Sequence, residues 1–150
     1  FSFGSIEKPL VWQEARAGIL ICFESVFPEL TRNWVMVGAN MLVNLTNDAW
    51  YGKSSAPQHS LAMSVLRAVE ARRSLVRSAN TGVSAFIAPT GTIDRQSELF
   101  VPWAATSPVV LCSELTFWAR YGYWFAPVCL AIGLLGGLAA VLRRNFTYPS

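Results

Sequence analysis

The chain is short of charge. Only 14% of its 150 residues are Asp, Glu, Lys or Arg, against about 25% in an ordinary soluble domain. The shortfall falls mostly on the C-terminal part. Histidine is nearly absent, with His59 alone. Cysteine is scarce and scattered: Cys22, Cys112 and Cys129 form no C-x-x-C pair, so neither a zinc site nor a disulfide framework is indicated. The net charge of +3 lies partly in Arg143-Arg144 and makes no basic stripe, so nucleic acid is not an expected partner. The sequence begins with Phe1 and carries no secretory signal. We therefore expect a C-terminal fragment of a longer protein. No metal or cofactor is expected.

What is present is organised around Gly18-Ile19-Leu20-Ile21-Cys22-Phe23-Glu24-Ser25. A short apolar run over 17–22 reads as a strand ending in a cysteine. A carboxylate follows two residues later, and Pro28 suits the first position of a helix over 27–38, with Leu30, Trp34, Val35 and Val37 as its apolar stripe. Strand, cysteine, sharp turn and helix together lift the thiol out of a sheet beside a helix N-terminus, which favours thiolate. A buried, inert cysteine closing a strand is the alternative.

Residues 41–46 read as a second buried strand, ending in Asn47-Asp48-Ala49-Trp50-Tyr51-Gly52. Two strands joined through a helix make a parallel crossover. Open α/β sheets gather chemistry beyond their strands' carboxyl ends, where both Cys22 and Asn47-Asp48 fall. Residues 57–74 read as a helix with Leu61, Val65, Ala68, Val69 and Arg72 at helical spacing, and with Arg67, Glu70 and Arg73 on a solvated or salt-bridged face. Strands are expected over 74–78 and 83–88, with Asn80-Thr81-Gly82 turning the chain between them. Pro89-Thr90-Gly91 turns into a return strand from Thr92. Weak alternation suggests strands over 98–103 and 107–114, and residues 1–14 read as a loop.

Composition changes near Phe117. From Tyr121 to Leu142 no residue is charged, Tyr121, Tyr123 and Trp124 stand at one end, and Arg143-Arg144 close the other. Length, apolarity and asymmetric flanks predict a transmembrane helix over 121–142, with a cytoplasmic tail over 143–150 and the domain over 1–120 facing away from the cytoplasm. A buried core helix is the alternative reading. Trp118, Tyr121 and Trp124 are candidates for a surface that shields a lipid chain.

The motifs Ile21-Cys22-Phe23-Glu24, Asn47-Asp48-Ala49-Trp50-Tyr51-Gly52, Gln58-His59, Arg67-Ala68-Val69-Glu70-Ala71-Arg72-Arg73 and Arg77-Ser78-Ala79-Asn80-Thr81-Gly82, with the terminal apolar helix after them, resemble the apolipoprotein N-acyltransferases. These are bacterial inner-membrane enzymes of the nitrilase (carbon–nitrogen hydrolase) superfamily. The resemblance runs from Gly18 to Arg144. It implies an α/β fold, the C-terminal half of a nitrilase-like αββα sandwich, followed by one transmembrane helix. It also implies a Glu–Lys–Cys triad of which Cys22 is the cysteine, with the glutamate and lysine upstream. Cys22 and Glu24 are thus the catalytic candidates, Cys22 as nucleophile and Glu24 supporting the site without acting as base. Phe23 stands where the family commonly has tyrosine. The implied partners are a phospholipid acyl donor, an apolipoprotein acceptor and the membrane. The implied place is the bacterial inner membrane, with a periplasmic catalytic domain and a cytoplasmic C-terminus.

Three rivals stand beside that reading. A cysteine hydrolase would use His59 as base, oriented by Asn47 or Asp48. A membrane-tethered amidase would share Cys22 without binding lipid. A structural domain would do no chemistry, and the 150 residues alone are expected to be inactive.

Overall fold

The computed structural model describes the backbone of residues 8–146 and the side chains of residues 8–139. It divides into two units, Phe1–Arg120 and Tyr121–Ser150.

The first unit is built on one mixed six-stranded sheet: β1 (Leu10–Trp12), β2 (Ala15–Ile21), β3 (Met41–Asn47), β4 (Ser74–Asn80), β5 (Ala85–Ile87) and β6 (Ile93–Gln96). The strands lie side by side in chain order. β2, β3 and β4 are parallel, as the two helical crossovers require. The outer pairs are antiparallel hairpins. β1 was expected as loop. Its three residues are too few to show a period, and it is a bare edge strand with Leu10, Val11 and Trp12 exposed.

α1 (Pro28–Met36) takes Pro28 in its first turn and stops at Val37, before Gly38 at φ 98°. α2 (Ala56–Ala71) likewise has Pro57 in its first turn and ends on Arg72 in the left-handed region at φ 52°. Arg72, expected at helical spacing within that helix, is therefore its exposed cap. Leu20, Leu42 and Leu75, one from each parallel strand, are fully buried, and Val35 of α1 with Leu61, Ala68 and Ala71 of α2 join the core. α1 can lie this close because β2 offers Gly18: a Cβ there would stand 2.7 Å from the Cβ of Trp34.

Residues of opposite parity, among them Ile21 and Leu45, form the second face, and these two remain 52% and 44% exposed. The expected αββα sandwich has two such sheets. The described residues supply one sheet with its helices, which is one half of that architecture.

Residues 97–116 hold no regular element, so the strands expected over 98–103 and 107–114 are absent. Pro102 and Pro108 cannot donate to a ladder. The segment is fastened through side chains instead. Val110 donates its N–H to Ser74 Oγ at 3.0 Å and accepts that hydroxyl in return at 2.9 Å. Trp103 packs against Phe86, ring centres 6.2 Å apart.

α3 (Phe117–Tyr121) is short and is held by Arg32, whose Nε donates to the carbonyl of Ala119 at 2.8 Å. Trp118 packs against the core.

In the second unit α4 spans Phe125–Phe146, 22 residues. Among the described residues no helix is long and apolar enough to cross a membrane. The stretch expected to span, 121–142, is corrected at its start: Tyr121 closes α3, Gly122 takes φ 67°, and helix resumes at Phe125. Its end lies outside the residues whose side chains are described, as do Arg143 and Arg144. The rest of the expected tail, 147–150, lies outside the described residues altogether.

Candidate active site

β2 ends at Ile21, and the chain turns at once into a 3-10 turn over Cys22–Val26. Cys22 opens that turn at φ 53°. A non-glycine residue in the left-handed region is strained by about 1–3 kcal/mol, and such strain collects where function over-determines the backbone. The effect is that of a nucleophile elbow: a strand ends, one residue is turned outward, and a helix follows. Cys22 is a half-buried free thiol.

Three groups hold the elbow. The carboxylate of Glu24 accepts the backbone N–H of Ile21 at 2.7 Å, closing the turn on the last residue of the strand. Ser25, fully buried, donates its hydroxyl to the carbonyl of Cys22 at 3.3 Å. Asn44 of β3 donates its amide to the carbonyls of Leu20 at 3.0 Å and Cys22 at 3.3 Å. The far end of the turn is tied by Arg67, whose Nη1 donates to the carbonyl of Val26 at 2.9 Å.

Asn44 is itself placed from beneath by Arg77 of β4. The sheet register puts Leu20, Asn44 and Arg77 in one row on the helix-bearing face. Arg77 is 1% exposed. Its five N–H donors are all used: Nε by the carbonyl of Val83 at 3.1 Å, Nη1 by Asn44 Oδ1 and by Ser64 Oγ at 3.0 Å, and Nη2 by Asp48 Oδ2 and Ser60 Oγ, both at 2.9 Å. Asp48, 2% exposed, also accepts the Thr46 hydroxyl at 2.9 Å. Burial pushes the Arg77 guanidinium below its ordinary value, and the neighbouring Asp48 carboxylate opposes that shift. A charge placed here survives because every donor has an acceptor and the charge has a partner.

The residues expected at the site thus divide into two groups. Cys22, Glu24 and Asp48 come together at the carboxyl ends of β2 and β3, Glu24 as a backbone clasp and Asp48 as the partner of Arg77. His59 stands exposed on α2, and no hydrogen bond joins its ring to Cys22, Asn47 or Asp48 among the described residues. Asn47 accepts the N–H of Ala49 and the amide of Asn80, each at 3.2 Å. Both groups expected to orient His59 are committed elsewhere.

Sequence reasoning missed the role of Arg77 and misjudged Arg73. Arg67 does pair with Glu70 at 2.9 Å, as its spacing indicated, but it is buried. Arg73 is not on a solvated face. It is buried and donates to the carbonyls of Ala39, Ala71, Arg72 and Glu114. The readable signal was parity: in Ser74–Asn80 an arginine two residues after a core leucine shares that leucine's face. Among the described residues no three His, Cys, Asp or Glu side chains gather as a metal site.

Comparison with known proteins places this arrangement. Residues 2–100 match the family model described as carbon-nitrogen hydrolase. The chain is 46% identical over 145 residues to the apolipoprotein N-acyltransferase of Geobacter metallireducens, covering 97% of this chain and 28% of that protein. It is 46% identical over 132 residues to the one from Gloeobacter violaceus, covering 84% of this chain and 25% of that protein. It thus spans about a quarter of the length of the curated relatives it matches. Among solved structures, a carbon-nitrogen hydrolase from Helicobacter pylori G27 superposes with a TM-score of 0.57 at 15% identity, over 65% of this chain and 41% of that one. That likeness is one of fold.

Proposed function

The chain belongs to the carbon–nitrogen hydrolase family, and from that premise we propose that it carries the nucleophile of an apolipoprotein N-acyltransferase. The Cys22 thiolate attacks the carbonyl carbon of a phospholipid acyl ester. A C–S bond forms, the ester C–O bond breaks, and the lysophospholipid leaves as an alcohol after taking up a proton. The α-amine of a diacylglyceryl-cysteine at the start of an apolipoprotein then attacks the thioester. A C–N bond forms, the C–S bond breaks, the amine loses a proton, and the thiol is restored. A thioester suits this relay because an amine opens it readily.

The observation that carries the reading is Cys22 at φ 53° at the carboxyl end of β2, held by Glu24 and Asn44, in a chain 46% identical to a named apolipoprotein N-acyltransferase. Glu24, engaged with the backbone of Ile21, is a positioning residue here. The base and the lysine that would hold the oxyanion come, on this reading, from upstream of the 150 residues. The apolar helix α4, from Phe125 on, would cross the bacterial inner membrane, the catalytic unit lying on the periplasmic side and Arg143-Arg144 in the cytoplasm. Both substrates are lipidated, so a membrane anchor brings the enzyme to them.

The test is capture of the acyl-enzyme in the full-length protein supplied with phospholipid. Thioester should form in the parent and in Cys112→Ser and Cys129→Ser, and be lost in Cys22→Ser. Thioester persisting in Cys22→Ser would overturn the assignment.

A further inference from the structure

β4 leaves the sheet beside a cavity of about 370 Å³. Ala79 and Asn80, at the carboxyl end of β4, line it together with Phe100 and Trp103 of the irregular segment after β6. No Asp, Glu, Lys, Arg or His lines it. It stands at the same end of the sheet as Cys22. Ile21, the residue before the thiol, pairs with Leu45, and Leu45 pairs with Ser78, the residue before Ala79. Two strand spacings, about 10 Å, therefore separate the elbow from the cavity.

The backbone around the cavity is strained at two points. Thr81 at φ 61° and Phe100 at φ 60° both line it, and the N–H of Phe100 donates to the carbonyl of Thr81 at 3.0 Å. Left-handed backbone is rare for branched and bulky residues, and such strain gathers at ligand clamps and active sites. Two hydrogen-bonding groups are also left over. Asn80 uses its amide nitrogen on Asn47 Oδ1 at 3.2 Å, and Trp103 rests its ring on Phe86. Among the described residues neither Asn80 Oδ1 nor the indole N–H of Trp103 has a hydrogen-bond partner.

We propose that this cavity receives the peptide of the acylation acceptor, gripping its main chain a few residues beyond the amine that opens the thioester. The inference rests on the acyl-transfer reading of Cys22 given above. With no cation in its lining, the cavity has nothing to pair with a phosphate headgroup. An alkyl chain seated there would cover the free acceptor and the free donor without meeting either. A peptide chain meets both: an N–H for the Asn80 oxygen, a carbonyl for the Trp103 indole, and the two rings against its apolar parts. An extended chain advances roughly 3.5 Å per residue, so about three residues cover the distance from the elbow.

The experiment uses the full-length protein, loaded as the acyl-enzyme with phospholipid and then given diacylglyceryl-cysteine acceptors either two or six residues long, with uncharged residues after the cysteine. Transfer to the longer acceptor should be favoured in kcat/KM by about tenfold, which two hydrogen bonds of ordinary net strength supply. Asn80→Ala and Trp103→Phe should each cut that preference by about threefold, one bond's share, while thioester forms from phospholipid at the parental rate. Trp103→Phe keeps a ring against Phe86, so the claim does not hang on a cavity-creating variant folding. Leu66→Ala, exposed on α2, should leave both the preference and the thioester rate where the parent has them. Equal transfer to both acceptors in the parent, or a parental preference in both variants, would overturn the assignment while leaving Cys22 as nucleophile. Thioester formation slowed as much as transfer in both variants would also overturn it. No thioester from the parent would overturn the acyl-transfer reading, and this inference with it.

Discussion

The backbone of Gly82 lies against the carboxylate of Asp48 so closely that a Cβ on Gly82 would stand 2.2 Å from Asp48 Oδ2 and 2.8 Å from its Cβ. Gly82 follows the left-handed Thr81, at φ 61°, in the turn that leaves β4. Among the described glycines this is the closest approach, and it lies where that turn presses the acid onto Arg77. Gly82→Ala should displace the carboxylate and lower stability by about 1–3 kcal/mol, the usual cost of overpacking. Thermal unfolding of the full-length variant is the measurement. An unchanged melting temperature would show that Asp48 has room the structure does not give it.

Cys22 pays for its position in backbone strain. Cys22→Gly and Cys22→Ala both remove the thiol, but glycine accepts a positive φ without steric cost and alanine does not. The glycine variant should unfold later than the alanine variant, by about 0.5–1 kcal/mol after the entropy of glycine in the unfolded chain is set against the relieved strain. Equal stabilities would mean the elbow relaxes once the sulfur is gone.

For Glu24, the structure shows a carboxylate bonded to the N–H of Ile21. Glutamine can still accept that bond, but a charged acceptor makes one roughly twice as strong. Glu24→Gln should fold with near-parental melting behaviour and turn over more slowly. Glu24→Ala should lose about 0.5–1.5 kcal/mol, the net worth of a hydrogen bond whose N–H water can reach. Parental turnover in both variants would remove Glu24 from the positioning of the thiol.

His59→Ala should keep most acyl-enzyme formation, since among the described residues the imidazole has neither the thiol nor an orienting acid as a hydrogen-bond partner. Loss of thioester by several orders of magnitude, with folding intact, would restore the cysteine–histidine mechanism.

The membrane reading predicts orientation. A charged residue at the centre of a span costs about 2.5–3.5 kcal/mol on insertion scales, and none occurs from Tyr121 to Leu142. Reporters fused after Ser150 of the full-length protein should behave as cytoplasmic. An active alkaline phosphatase fusion there, beside a dark cytoplasmic fluorescent reporter, would reverse the topology.

The strand–elbow–helix around Cys22 was legible because its signals are local: an apolar run, a cysteine, a carboxylate within one turn and Pro28 at a helix start. The parallel arrangement of β2, β3 and β4 followed from the helices between them. What escaped is what depends on residues far apart in sequence. Arg77 draws acceptors from β3, from α2 and from the turn after β4, and no window of sequence contains them all. Arg73 looked like surface because a helix pattern ends beside it, yet it fastens the irregular segment 97–116 at Glu114. That segment was misread as strand because weak alternation ignores Pro102 and Pro108. β1 was too short to declare itself.

Because the strands stand in the sheet in the order in which they occur in the chain, the sheet can be laid down progressively during synthesis, each new strand adding to an edge already formed. The turn at Cys22 leaves the ribosome with β2, while the arginine that supports it through Asn44 arrives with β4. At the usual pace of about 5–20 residues per second the elbow must wait on the order of seconds for its support. Until then Cys22 sits in a turn free to relax out of its strained conformation. A nascent chain interrupted before β4 would carry the thiol but not its geometry, and reactivity would switch on with the arrival of a residue that never touches substrate.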